Sequence, residues 1–372
     1  MAVLQPAIEG RAAAERGNSA SGRRGDDVPA NLDSVRGLAC LLVVALHVVG
    51  DSATNGLRLP MSSGWHYAMM SIEFIRMPLF TALSGYLYAG NRVSRAAFGR
   101  FWAKKARRLG VPLVCVTAVM WFLLARTEAE PIGAFHAFLF SFGHLWYVQA
   151  LILLFAAVSV CDAAFRPGCA ALALAGLAAV MVDQSGWSIT SCFSLDGAFY
   201  LAPYFLFGMI LRENPAWLRD RPAGRMALGI VAIVLTCQQL GLAGLMVPVT
   251  VLQLPAALAG MSGVVLLLQR FPRSRLLAAV GAYSYTIYLW HVAAGAATRT
   301  ILVKAGIAGV PVLFPPIFAA SVALPIVLYH IARRSPLLSV AVTGETRRLR
   351  GDRFARPFPR GFPRRSPAVG SP

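Results

Sequence analysis

Charged residues are scarce in this chain of 372 residues, and acidic residues are the scarcest. Only 14% of the residues are charged, with 16 Asp or Glu against 35 Lys or Arg, whereas 57% are hydrophobic. Soluble domains carry about 25% charged residues, so the composition excludes an ordinary soluble protein and indicates an integral membrane protein. The formal net charge of +19 then reflects topology and attraction to anionic lipid. Because the basic residues are spread over several segments, a nucleic-acid partner is not expected.

Cysteine is also rare, and the spacing of the six cysteines shows neither a CxxC pair nor a Cys/His ligand pattern. Most of them lie in apolar runs, where cysteine behaves as a small hydrophobic residue. No metal site is expected.

The apolar runs are long and do not alternate, which disfavours a β-barrel. A membrane-spanning helix needs about 20 mostly apolar residues, and the sequence predicts an all-α, polytopic membrane protein with about ten transmembrane helices. The predicted spans are 35–50, 67–90, 108–125, 138–160, 168–183, 198–212, 225–243, 246–268, 278–300 and 311–332. The fourth and sixth carry polar residues and could be split or partly re-entrant.

The distribution of Lys and Arg predicts the orientation, because these residues favour cytoplasmic loops. With ten spans, the side that holds both termini carries all but five of the 35 basic residues. The exceptions are Arg58, Arg126, Arg299 and Lys304 on the other side, and Arg76 inside a span. Cytoplasmic termini are therefore expected.

The chain divides into three predicted parts. They are a disordered cytoplasmic N-terminal segment at 1–31, a membrane domain at 32–335, and a basic, Pro-rich cytoplasmic tail at 336–372. The first part shows no cleavable signal peptide, so the first span is expected to act as an internal signal.

The first span, in "NLDSVRGLACLLVVALHVVGD", carries Arg36 and His47. Eleven residues make almost three helical turns, so both side chains lie on one face, roughly 16 Å apart. Ionisable groups inside spans are costly and mark functional sites. Alternatively Arg36, one turn after Asp33, is an interfacial anchor, and His47 bonds a neighbouring helix. Asp51, four residues after His47, could orient its imidazole.

The second span, in "SIEFIRMPLFTALSGYLYAG", holds Glu73 and Arg76 at i,i+3 spacing. The two side chains can pair on one helix face, either as a structural salt bridge or as part of a pocket. Ser84, followed by Gly85, marks a place where another helix can pack closely.

The segment before the third span, "NRVSRAAFGRFWAKKARRLGVP", is dense in positive charge and includes Lys104, Lys105, Arg107 and Arg108. It can act as a topology signal that binds lipid. It can also dock an anionic cytosolic donor, since clustered Lys and Arg bind phosphate well.

Two further segments, "GHLWYVQAL" and "AYSYTIYLWHV", contribute His144, Trp146, Tyr285 and His291. Aromatic residues of this kind also form interfacial belts. His47 and His291 lie at similar depths in their spans, although they come from opposite ends of the chain. This matching depth predicts that they share one polar cavity.

Five segments in this order resemble the acyltransferase family 3 membrane proteins. The matching segments are "LDSVRGLACLLVVALH", "MPLFTALSGYLY", "KKARRLGVPL", "HLWYVQALILLF" and "YSYTIYLWH". The resemblance extends from about residue 31 to 332 and is nearest to the fucose-O-acetylase-like branch. It implies a bacterial inner-membrane enzyme that moves an acyl group, commonly acetyl, from cytosolic acyl-CoA to a hydroxyl of a surface glycan.

The resemblance also implies roles for particular residues. It makes His47 essential for transfer, with Arg36 as its partner in the family's Arg-x10-His pair. It associates Lys105 and Arg108, with Lys104 and Arg107 beside them, with the acyl-CoA donor. Arg76 departs from the family, which often has His at this position, and so the pocket is expected to differ there.

A transporter or flippase of an anionic or glycan-linked solute is the alternative, because mid-membrane histidines and a basic opening suit it too. No pair of short, Gly/Pro-broken spans recurs in both halves, which counts against a transporter built from repeats. A non-catalytic sensor or assembly protein is a third possibility. Transfer of label from acyl-CoA to a glycan would separate the enzyme from both.

Overall fold

A computed structural model describes residues 29–124, 133–140, 143–185, 189–246 and 253–346. Regular structure in these ranges is helical, without strands, which confirms the predicted all-α class. The helices are α1 Leu32–Val49, α2 Gly64–Ser71, α3 Glu73–Ala89, α4 Phe98–Lys105, α5 Val111–Leu124, α6 Ala134–Leu139, α7 Trp146–Ala164, α8 Cys169–Gln184, α9 Leu195–Glu213, α10 Arg221–Leu242, α11 Gln253–Arg270, α12 Arg275–Lys304, α13 Val310–Ala332 and α14 Pro336–Thr343.

Seven helical segments in the described ranges are long and apolar enough to cross a membrane. They are Leu32–Val49, Arg95–Leu123, Gly143–Ala164, Cys192–Glu213, Arg221–Leu242, Arg275–Lys304 and Val310–Ala332. Two further apolar helices, Cys169–Gln184 and Leu254–Arg270, are shorter. The chain is therefore a multi-pass membrane protein, in contact with lipid.

Two of the predicted spans are interrupted. The second, 67–90, is divided at Ile72, whose ψ of 15° leaves helical geometry between α2 and α3. The fourth, 138–160, becomes a continuous helix only at Trp146, after Gly143 turns the chain with a φ of +53°. Glycine adopts a positive φ without a steric penalty, so the turn before α7 can be tight.

Close packing between the first and twelfth helices determines where the site forms. A Cβ atom added at Gly37 of α1 or Gly281 of α12 would overlap a backbone carbonyl oxygen of the other helix. Gly85 of α3 and Gly208 of α9 make an equivalent contact. Small residues let helix backbones touch in a membrane. The two glycine contacts therefore hold α1 against α12 and α3 against α9.

The last described helix, α14, packs on the membrane domain. Its Val342 carbonyl accepts a hydrogen bond from Trp290 Nε1 at 3.3 Å, and Gly344 lies against the backbone of Arg107 and Arg108. The predicted domain boundary at 335 falls directly before this helix. The remaining parts of the two predicted terminal segments, 1–28 and 347–372, lie outside the described residues.

Candidate active site

Three histidine rings meet inside the helical bundle. His47 lies near the end of α1, His144 directly before α7, and His291 in the middle of α12. The His291 ring centroid is 4.9 Å from that of His47 and 4.9 Å from that of His144, and His47 and His144 are 5.7 Å apart. The structure thus brings together three histidines that are far apart in the chain.

His47 is held by its own helix. Its Nδ1 lies 2.9 Å from the carbonyl oxygen of Val43. A carbonyl can only accept, so Nδ1 carries the proton, and Nε2 of the neutral ring keeps its lone pair. No described residue hydrogen-bonds Nε2. The free nitrogen is therefore available as a base or a nucleophile.

Asp51 does not orient the His47 ring, contrary to the interpretation of their spacing. Helix α1 ends at Val49, and Gly50 turns the chain with a φ of +105°. Helical i,i+4 geometry is therefore lost between the two residues. Asp51 is exposed at the rim of the site and accepts a hydrogen bond from Asn55 Nδ2 at 2.8 Å.

The backbone of α12 positions the other two rings. His291 Nδ1 is 3.0 Å from the Ile287 carbonyl oxygen and 2.7 Å from that of Tyr288, while its Nε2 is buried without a partner among the described residues. His144 Nε2 lies 3.3 Å from the Leu289 carbonyl, and its own carbonyl accepts from the Tyr288 hydroxyl. In the described part of the chain, no three metal-ligating side chains are arranged to hold a metal ion.

His47 and His144 line a cavity of about 260 Å³, whereas His291 packs against both rings and is not part of the lining. Besides His47 and His144, the polar and aromatic lining of the cavity includes Asp51, Glu73, Arg76, Trp146, Tyr200 and Tyr288. Small-molecule sites usually measure about 300–1,000 Å³. A cavity of this size encloses reacting groups rather than two whole substrates.

The predicted ion pair between Glu73 and Arg76 is not formed, since no salt bridge within 4.0 Å joins them. Glu73 is the first residue of α3 and is partly exposed, whereas Arg76 is only 5% exposed and lines the cavity. The Arg76 Nη1 atom is buried without a hydrogen-bond partner among the described residues. The cavity therefore contains a guanidinium that no described carboxylate contacts, with Glu73 and Asp51 elsewhere in the same lining.

The site residues predicted from the sequence differ in part from the residues that line the cavity. Ser84, Tyr285 and His291 do not line it, while Tyr288 and Tyr200 do. His291 therefore meets His47 through ring contact and not through a shared cavity surface. Tyr288 stands three residues before His291, so the i,i+3 spacing was a usable signal that both face the same way. Tyr200 had no such signal, because its place depends on how α9 packs against α3.

Arg36 lies at the other end of α1. Its Nη1 donates to Asp33 Oδ1 at 3.2 Å and its Nη2 to Ser284 Oγ at 3.2 Å, and its side chain is 29% exposed. The contact with Asp33 matches their one-turn spacing. The contact with Ser284 joins α1 to α12, beyond the cavity lining.

The four basic residues before α5 form what we name the basic turn, since α4 passes here into a π-helical turn at Ala106–Gly110. Its members are Lys104, Lys105, Arg107 and Arg108. Single π-helical turns within α-helices are frequent at functional sites.

The members of the basic turn have different surroundings. Lys105 Nζ lies 3.2 Å from the centroid of the Phe155 ring, which is a cation–π contact. Arg108 Nη2 lies 3.7 Å from Glu345 Oε1 in a solvent-exposed ion pair. Lys104 is exposed. Lys104 is thus the member most open to an incoming anion, and Arg108 becomes open if Glu345 moves away.

Comparison with known proteins agrees with this geometry. The Acyl_transf_3 family model, described as an acyltransferase domain, matches residues 30–330, which include the histidine cluster, the cavity lining and the basic turn. Searches of curated proteins and of solved structures return no significant match. The family match covers more than half of the chain and confirms the resemblance carried by the five motifs. On this basis the chain belongs to acyltransferase family 3.

Proposed function

We infer that the protein is a membrane O-acyltransferase that moves an acyl group, with acetyl as the first candidate, from cytosolic acyl-CoA to a hydroxyl of an extracytoplasmic glycan. The family match supports acyl transfer in a membrane. The observation that carries the assignment of the site is the free His47 Nε2 in a cavity that His144 also lines, with the His291 ring packed against both histidines. The motif pattern favours the fucose-O-acetylase-like branch.

The proposed topology has ten spans, cytoplasmic termini and a location in the bacterial inner membrane. Seven segments meet the length and hydropathy required of a span. The shorter helices α3, α8 and α11 complete the ten in this proposal. The basic turn then faces the cytosol, so the phosphates of a cytosolic acyl-CoA can reach it. His47 lies toward the outer end of α1.

In the proposed reaction, His47 Nε2 removes the proton from the acceptor hydroxyl as its oxygen attacks the thioester carbonyl. The C–O bond forms, and the tetrahedral intermediate then expels the CoA thiolate, which takes up the proton from His47. The basic turn binds the CoA phosphates, and Arg36 steadies the donor or the developing negative charge. An acyl-histidine intermediate on the same nitrogen is the other route.

Inverted membrane vesicles test this function. They are loaded with extracted native glycan inside, where the extracytoplasmic face lies, and supplied with radiolabelled acetyl-CoA outside, and label is followed into the glycan and into the protein. We expect His47→Gln to lower glycan labelling by about 100-fold or more, the usual contribution of a general base. The matched control is His136→Gln, which changes an exposed histidine outside the cavity.

Equal labelling with wild type and His47→Gln would refute His47 as the transfer residue. Label retained on the wild-type protein before it reaches the glycan would favour the acyl-histidine route. No labelling with any variant, together with uptake of an anionic solute, would support a transporter instead.

A further inference from the structure

Arg76 is a buried cation that contacts no carboxylate among the described residues, although Glu73 and Asp51 line the same cavity. Only 5% of Arg76 is exposed, and its Nη1 atom is buried without a hydrogen-bond partner among the described residues. No hydrogen bond or ion pair to Arg76 is present among the described residues. An unpaired charge is costly inside a membrane protein. A position of this kind is tolerated where a ligand supplies the missing partner.

The carboxylates nearby do not serve as that partner. Glu73, one turn before Arg76, is partly exposed and does not come within ion-pair distance. Asp51 is exposed and is already hydrogen-bonded by Asn55. Both acidic groups therefore lie nearer to solvent, while the guanidinium lies deeper in the cavity.

The chemistry of the guanidinium indicates what it binds. Its planar array of N–H donors fits a carboxylate through two parallel hydrogen bonds. Tyr200 lines the same cavity. A neutral methyl group, such as that of an acetyl chain, would leave the guanidinium unsatisfied.

We propose that Arg76 binds a carboxylate of the substrate, so that the enzyme acts on an anionic partner. The carboxylate belongs either to a dicarboxylic acyl group, such as succinyl, or to an acidic sugar of the acceptor. This inference rests on the proposed acyl transfer and names its substrate class. His47 and Arg76 line the same cavity, so either source brings a carboxylate to Arg76 while the reacting carbonyl or hydroxyl meets His47.

The transfer experiment separates the two sources. Inverted vesicles receive acetyl-CoA or succinyl-CoA as donor on the outside, and are loaded with a glucose oligosaccharide or its glucuronate counterpart as acceptor on the inside. The variants are Arg76→Gln and Arg76→Lys. The matched control is Arg58→Gln, which removes an exposed arginine from the loop between α1 and α2. The readouts are two rate ratios, succinyl over acetyl and glucuronate over glucose.

We expect Arg76→Gln to lower one of these ratios by about 10-fold or more, the usual effect of losing hydrogen bonds to a charged group. A fall in the donor ratio assigns the carboxylate to the acyl group, and a fall in the acceptor ratio assigns it to the sugar. Arg76→Lys should give an intermediate ratio, because it keeps the charge but loses the paired donors. Arg58→Gln should change neither ratio.

A binding measurement decides the inference independently of turnover. In a His47→Gln background, the Tm of detergent-purified protein is measured with each donor and each oligosaccharide, with Arg or Gln at position 76. An anionic probe should stabilise the Arg76 protein more than its neutral counterpart does, and Gln should abolish the difference. If both ratios and all Tm shifts are the same with Arg and Gln, the inference is overturned. If Tm responds but no variant transfers label, the proposed function fails and the carboxylate site stands.

Discussion

At the residue scale, Arg92 is a buried cation whose guanidinium is paired with two carboxylates. The Arg92 Nη2 atom lies 2.5 Å from Asp162 Oδ1, and Nη1 lies 2.5 Å from Glu213 Oε1. The Tyr88 hydroxyl donates to Asp162 Oδ2 at 2.7 Å. Burial would lower the pKa of Arg92, but the hydrogen bonds from its guanidinium to Asp162 and Glu213 raise it. Arg92 is thus fully partnered, unlike Arg76.

Asp162 should therefore matter more for stability than Glu213. The Asp162 side chain is 0% exposed and that of Glu213 is 30% exposed. Removing one partner of a buried pair costs about 3–5 kcal/mol, whereas exposed pairs contribute about 0–1 kcal/mol. We expect Asp162→Asn to lower the Tm in detergent clearly and Glu213→Gln to lower it slightly. Similar Tm losses for both variants would contradict this account of the cluster.

Local spacing predicted contacts within a helix but not the ends of helices. Asp33 and Arg36 touch as their one-turn spacing requires. Asp51 makes no contact with His47 because α1 ends at Val49 and Gly50 turns the chain. The sequence "VVGD" alone does not predict whether the helix continues through Gly50. Arg76 likewise turns into the cavity instead of pairing along its helix, a choice made by tertiary packing.

At the scale of elements, the close contact between α1 and α12 sets the distance between His47 and His291, because each helix carries one of the two rings. Gly281→Ala would place a Cβ atom against the Asp33 carbonyl oxygen and force the two helices apart. We expect acyl transfer to fall by about 10-fold or more, because a displacement of about 1 Å can cost 100-fold in rate. Transfer is measured in vesicles at matched protein levels.

Gly263→Ala is the matched control for the glycine contact. A Cβ atom there would meet the Ile75 side chain at 3.6 Å, an ordinary van der Waals distance. This variant should keep its transfer rate. If Gly281→Ala is equally active, the α1–α12 spacing does not control the site.

Helix positions were predictable, and so was the interruption of the fourth span, but the break in the second span was not. The long apolar runs located the helices because hydrophobic length is read directly from the chain. No Gly or Pro marks the break at Ile72 in the sequence. The same is true of the two left-handed residues before α9, Phe193 and Ser194. They are set by tertiary contacts, and so was the position of Tyr200.

At the scale of the whole molecule, the orientation rests on the distribution of basic residues, and it predicts which loops face the cytosol. In a chain whose six cysteines are replaced, a single cysteine at the exposed Ser94 should react with an impermeant thiol reagent only in inverted vesicles. A cysteine at the exposed Thr54 should react only in intact cells freed of their outer barrier. Labelling of both positions from the same side would refute the proposed topology.

The pairing of α1 with α12 also has a consequence for how the protein is made. Among the described helices, His47 belongs to the first to leave the ribosome, and His291 belongs to one of the last. No nascent fragment that ends before α12 contains the complete histidine cluster. A ribosome stalled anywhere earlier therefore leaves a fragment in the membrane that lacks the complete histidine cluster, so the candidate site assembles only after most of the described chain has been synthesised.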